Sequence, residues 1–272
     1  MKSRPFAGTL AALLASFPTT AATVVDFADF GDCSTLQLNH DAVCVDDVLR
    51  LTPALELRDG SAFPVVPIAL GADAAFSTAF SFRLHDGGGP FADDSGLGAD
   101  GFVFVLQPLA ATATGDGGDG LGYRGIANSL GIEFDTFTLS TSATEPNGNH
   151  LGVDLDGSTD SLRAVTIAEA PLNDGGIWYA WIDYDGATLE VRASRTPERP
   201  AGRRMSYLLD LPATLGGTTA FAGFTAATGG SYEAHDILRW RFVDAYAPIG
   251  EDRIFHDGFE RATFAGEGQE DW

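Results

Sequence analysis

Two carboxylates, Glu133 and Asp135 in the stretch GIEFDTF, are the first residues whose spacing suggests chemistry. Side chains alternate along a strand, so the two acids share one face while Ile132 and Phe134 share the other. Acids held that close repel one another, which leaves three readings: a proton-sharing catalytic pair, a metal cage, or a solvated strand face. Downstream, His150 in TEPNGNHLGVD lies where an Asn/Gly/Pro loop runs into the next apolar stretch. Glu133, Asp135 and His150 can therefore meet at one end of two adjacent strands, with Glu145 a further oxygen ligand within reach. Hard oxygens plus one imidazole suit a divalent cation better than a nucleophile.

The elements that must position these residues are strands. AFSTAFSFRL (75–84), DGFVFVLQ (100–107), LGVDLD (151–156), WYAWIDYDGATLEVRA (178–193) and LRWRFVDAY (238–246) are short and rich in aromatic and branched residues. Gly, Asp and Asn separate them, and the Asp185–Gly186 pair between two alternating runs predicts a hairpin. No segment holds a helical period with caps; SYLLDL (206–211) comes nearest and is too short. The expectation is an all-β protein, a two-sheet sandwich with long glycine-rich loops at 85–100, 111–125 and 225–236. Binding residues concentrate on loops held by such a scaffold.

The chain as a whole excludes several partners. Its 272 residues carry 38 acids against 16 bases, a net charge of −22, and Lys2 is the only lysine. Such a surface repels nucleic-acid phosphates and anionic lipids. Residues 1–22 have a basic start, a short apolar run and small residues at Thr20 and Ala22, the pattern of an export signal cleaved after Ala22. No later segment is long and apolar enough to insert in a membrane, so the mature chain is expected to be secreted, periplasmic or held at the cell surface. In an exported chain Cys33 and Cys44, with Asn39, His40 and Asp41 between them, predict one disulfide across a hairpin, stabilising by about 3 kcal/mol. From Ala247 an acidic tail is expected, with a small apolar knot of Ile254, Phe255 and Phe259.

Read in order, VVDFADF, VLRLTPA (48–54), ADGFVFVLQP (99–108), GLGYRGIANSLGIEFDTF (120–137), NHLGVDLDGS (149–158), WYAWIDYDGATLEV and GFTAATGGSYEAHDILRWRF (223–242) resemble the L-type (legume-type) lectins. The resemblance spans about residues 24–246 and implies a jelly-roll β-sandwich that binds sugars through paired calcium and transition-metal sites, without catalysis. By that resemblance Glu133 and His150 ligate the transition metal (Mn2+), Asp135 bridges both ions, and the Phe137 carbonyl reaches Ca2+. Asp100, after a cis peptide from Ala99, accepts hydrogen bonds from sugar hydroxyls. Gly122 donates its N–H to the sugar, and Gly229, Gly230 and Ser231 form the variable specificity loop. Phe137, Tyr123 or Tyr232 supplies a surface for the ring's C–H face. The implied partners are glycans or glycoconjugates.

One departure stands out. Where these lectins carry an Asn serving calcium and sugar, the chain has Leu139. Glu145, or else Asn147, stands for the acidic ligand that normally follows. Either the 138–149 loop brings in another oxygen or calcium binding weakens. Weak single-sugar binding would favour multivalency and so a homo-oligomer. Two rival readings remain. Glucan hydrolases on this sandwich carry Glu-x-Asp followed by a second Glu, which FTLS at 137–140 lacks; an adhesion or assembly domain with a decayed sugar site is the other.

Overall fold

The computed structural model describes residues 22–250 except 94 and 139–143. The expected export signal, Leu139 and the Ile254, Phe255 and Phe259 knot lie outside the described residues.

In chain order the first strands are β1 (Thr23–Phe27), β2 (Leu36–His40), β3 (Val43–Val45), β4 (Val48–Thr52), β5 (Asp59–Pro64) and β6 (Ile68–Ala69). Next come β7 (Phe76–Gly88), β8 (Ala92–Asp93), β9 (Gly96–Leu97), β10 (Gly101–Gln107), β11 (Leu130–Asp135) and β12 (His150–Leu155). Then follow β13 (Arg163–Thr166), β14 (Trp178–Tyr184), β15 (Thr188–Ser194), β16 (Met205–Leu208), β17 (Thr219–Ala227) and β18 (Tyr232–Val243). One sheet runs β16-β15-β14-β7-β18-β4-β3, with β1 also on β18. The other runs β13-β12-β11-β10-β17-β5-β2, with β6 also on β17, and β8 and β9 form a separate ribbon. The sheets pack as the expected jelly-roll sandwich.

The core lies between the sheets and is largely aromatic. Alternation along β10 sends Phe102, Phe104 and Leu106 inward, where Phe102 meets Phe82 of the opposite sheet at 4.9 Å between centroids. Val103 and Val105 point the other way, yet they too are buried, beneath Leu121, Tyr123 and Ile126 of the 108–129 connection. Burial on both faces explains why β10 reads as a continuous apolar run instead of an alternating one.

Three expectations need adjusting. Cys33 and Cys44 are bonded, but not across a hairpin. The turn after β2 crosses from the β5 sheet to the β4 sheet, so the bond ties the approach to β2 onto β3 of the opposite layer. The SYLLDL stretch is divided: its first part continues strand β16, and the short helix α1 (Leu211–Leu215) starts only after Asp210, whose carboxylate accepts from the Ala213 N–H at 3.0 Å. The domain also runs past 246, because Ile249 is buried with Ala79, Trp181 and Val243 on the outer face of the β7 sheet.

Candidate functional site

Register places the chemistry. On β11, Asp135 stands opposite Gly101 of β10 and His150 of β12, and Glu133 stands opposite Val103 and Gly152. Ile132 and Phe134 enter the core as the alternation predicts. The opposite face is no solvated surface: Glu133 is 0% exposed, Asp135 6% and His150 0%. Gly152 is required there, because a Cβ at that position would lie 2.1 Å from Glu133 Oε1 and 1.9 Å from Ser161 Oγ.

The imidazole is oriented by its own loop. His150 Nδ1 lies 2.7 Å from the Asn147 carbonyl, so Nδ1 carries the proton and donates. The Nε2 lone pair then faces Glu133 Oε1 at 3.0 Å and Glu145 Oε2 at 3.8 Å. Acceptor thus faces acceptor, an arrangement that calls for a proton or a cation between them. One ligand atom each from Glu133, Asp135, Glu145 and His150 falls within a 4.8 Å group, and Glu133 Oε2 is buried with no partner among the described residues.

Burial pushes Glu133 up to about 7. It raises Asp135 well above the carboxylate range, reinforced by the neighbouring Glu133 charge, and lowers His150. Behind Glu133, Asp154 is also buried and raised, first by burial and then by Glu133. The Ser161 hydroxyl lies 2.6 Å from Glu133 Oε1 and 2.8 Å from Asp154 Oδ1, and its single hydrogen serves only one of them. Three carboxylates and an imidazole presenting a lone pair fit a divalent cation that accepts mixed O/N ligands. The Asn147 carbonyl behind His150 is the kind of outer partner that orients metal-bound imidazoles.

Next to this cage opens a cleft of about 450 Å³ lined by Asp100, Asp135, Phe137, Gly229, Gly230 and Ser231, with others. The Ala99–Asp100 peptide is cis. Asp100 is 5% exposed, and its Oδ2 has no partner among the described residues. Burial first, then Asp119 and Glu233, push its carboxyl up to about 7, against the Gly229 N–H. The cleft and the cage share backbone: the Thr136 N–H donates to the Asp100 carbonyl at 3.1 Å, and the Phe137 N–H donates to Asp135 Oδ1 at 2.9 Å.

Several expected roles shift. The Gly122 N–H donates to the Asp116 carbonyl at 2.8 Å, inside its own loop, and so is committed there; Asp119 is the member of that loop that reaches the cleft. The Ser231 hydroxyl is taken up by Phe91, accepting from its N–H at 3.0 Å and donating to its carbonyl at 2.7 Å. Tyr123 is fully buried and hydrogen-bonded to Ser129, and Tyr232 packs on Gly88. The aromatic walls are Phe137 and Phe91, the latter 53% exposed. Sequence reasoning missed Phe91, although a lone aromatic inside GGGPFADD was its signal. Glu133 does not reach the cleft, so it cannot flank a scissile bond as a hydrolase acid would.

Fold and site together define a jelly-roll sandwich in which a buried group able to hold a cation shares Asp135 and Glu145 with an acid-lined cleft. The chain belongs to the legume lectin domain family, which matches residues 23–253. It is 30% identical over 238 residues to lectin DB58 of Vigna unguiculata subsp. cylindrica, covering 80% of this chain and 81% of that protein. It is 28% identical over 232 residues to L-type lectin-domain containing receptor kinase IV.1 of Arabidopsis thaliana, covering 74% of this chain but only 32% of the kinase. Among solved structures, a Bauhinia forficata lectin in complex with GalNAc superposes with a TM-score of 0.67 at 25% identity, covering 82% of this chain and 98% of that one.

Proposed function

We propose that this is an exported, non-catalytic carbohydrate-binding protein whose sugar site is supported by divalent metal. The observation that carries the reading is the buried Asp100 carboxylate, with one oxygen lacking a partner among the described residues, set in the wall of the cleft that Asp135 and Glu145 also line. A sugar needs a fixed acceptor for its hydroxyls, nearby N–H donors and an apolar surface for its C–H face. Asp100 supplies the acceptor, the Gly230 backbone lies alongside (the Gly229 N–H donates to the Ser231 carbonyl at 3.1 Å), and Phe137 and Phe91 supply the surface. Glu133, Asp135, Glu145 and His150, with the Phe137 carbonyl, are the groups that would hold Ca2+ and Mn2+. Bound metal stiffens the 135–137 segment beneath the sugar, so chelation weakens binding. Glycans are the partners, and the GalNAc carried by the Bauhinia lectin makes a first probe. Export is supported by the N-terminal pattern and by the Cys33–Cys44 bond. No described helix is long and apolar enough to cross a membrane.

Asp100→Ala is expected to abolish retention on a glycan surface and to leave thermal stability nearly unchanged, because a buried carboxyl without a full set of partners contributes little to the fold. A variant that still binds the same glycans equally well would sink this site assignment.

A further inference from the structure

The cleft is lined by acceptors to an unusual degree. Asp100, Asp119, Asp135, Glu145 and Asp160 face a single guanidinium, Arg124. Arg124 is itself engaged within the wall: Nη1 donates to Asp119 Oδ1 at 2.9 Å, and Nη2 donates to the Asp119 carbonyl at 3.0 Å and to Thr159 Oγ1 at 2.8 Å. Asp160 makes no direct ion pair among the described residues and feels Arg124 only at longer range. A divalent ion held by Asp135 and Glu145 would offset those two carboxylates and leave Asp100, Asp119 and Asp160 against the one guanidinium, so the rim stays acidic. Independently of that rim, the partnerless Oδ2 of nearly buried Asp100 faces the ligand space.

We propose that the cleft prefers glycans bearing a free, protonated amine, that is, hexosamine units without N-acetylation, over their neutral or acidic counterparts; this rests on the carbohydrate reading above. An ammonium offers donors only, which matches walls made of carboxylate oxygens, and its bonds to them are charge-assisted. An N-acetyl group in its place brings a carbonyl that needs a donor, and the one side-chain donor of strength here, Arg124, is already engaged. Uronic and sulfated sugars meet like charge. Because Asp119 and Asp160 stand in or near solvent, the preference is modest and falls with salt.

The test uses the full mature chain loaded with Ca2+ and Mn2+, titrated with a galactosamine-bearing oligosaccharide and its N-acetylated twin. We expect the amine to bind about fivefold tighter at low salt, the ratio approaching one in high salt. In the Asp119→Asn/Asp160→Asn variant the same ratio should fall by about half or more. Equal binding of the twins overturns the amine preference and leaves carbohydrate binding standing. A preference that persists unchanged in the double variant also overturns it, since the attraction would then belong to the acidic surface at large. Binding of neither twin overturns both this inference and the reading it rests on.

Discussion

Two buried acidic regions of this sandwich contrast, one served by cations of the chain and one not. On the β7 sheet, Asp236 is fully buried, yet Arg50 grips it with two bonds of 2.8 Å and His85 adds a third at 2.9 Å. Burial alone would push that carboxyl up; the Arg50 and His85 bonds outweigh it and hold the group below the ordinary carboxylate range. On the β11 sheet, Glu133, Asp135 and Asp154 are equally buried, with only a neutral imidazole and a hydroxyl for company, and all three are raised. Desolvating a carboxylate is costly unless a counter-charge accompanies it. The first cluster is complete as the chain folds. The second lacks such a counter-charge, which the proposed cation would supply.

The sharpest break between the two regions should come from chelation. Stripping divalent ions is expected to lower the melting temperature by about 10 °C, on the order of 4 kcal/mol if the ions were present at a thousandfold excess over Kd. Asp135→Ala should abolish that response and leave the purified protein with little metal by elemental analysis. Equal metal content in variant and parent would mean that the cage is an inert acidic cluster.

Next in size is Arg50→Ala, which leaves Asp236 buried without its bidentate partner and should cost about 3 kcal/mol in urea unfolding. The loss should be the same with and without chelator. A dependence on metal would show the two clusters to be coupled.

Smaller again is a pH effect confined to the metal-free protein. Glu133 holds its proton up to about 7 when folded, against an ordinary value of 4.5 in the unfolded chain. A carboxyl with a raised folded pKa contributes stability that is fully present below the unfolded value and is lost as pH rises through the folded one. The chelated protein should therefore lose on the order of 2 kcal/mol between about pH 4.5 and 7, with Asp135 acting in the same direction. With metal bound the trend should vanish, and metal affinity should climb across the same interval because ions and protons compete for these oxygens. A flat melting profile for chelated protein would contradict the raised Glu133.

Much of this was legible in the alternation of seven letters, GIEFDTF, because strand periodicity is rigid. It assigned Ile132 and Phe134 to the core and set both acids on one face. What it did not disclose was the cover on that face: Ser161 and the Asn147–His150 segment come from elsewhere in the chain, and their approach is a matter of tertiary packing. The same limit explains Gly122, whose loop folds so that the N–H is spent on Asp116 while neighbouring Asp119 reaches the cleft. The cysteines were matched correctly but their setting was not, since the turn after β2 changes sheets and local hairpin chemistry carries no mark of that.

The bond between the Thr136 N–H and the Asp100 carbonyl has a thermodynamic corollary. Thr136 sits between Asp135 and Phe137, the groups proposed above to hold the ion, so under that reading ion and sugar would act on the two ends of one hydrogen-bonded peptide pair. Coupling of this kind is reciprocal: whatever factor the cation adds to sugar affinity, the sugar must add to cation affinity. A saturating glycan should thus raise by that factor the chelator concentration needed to empty the cage, so that the protein remembers its metal longest while it is holding its ligand.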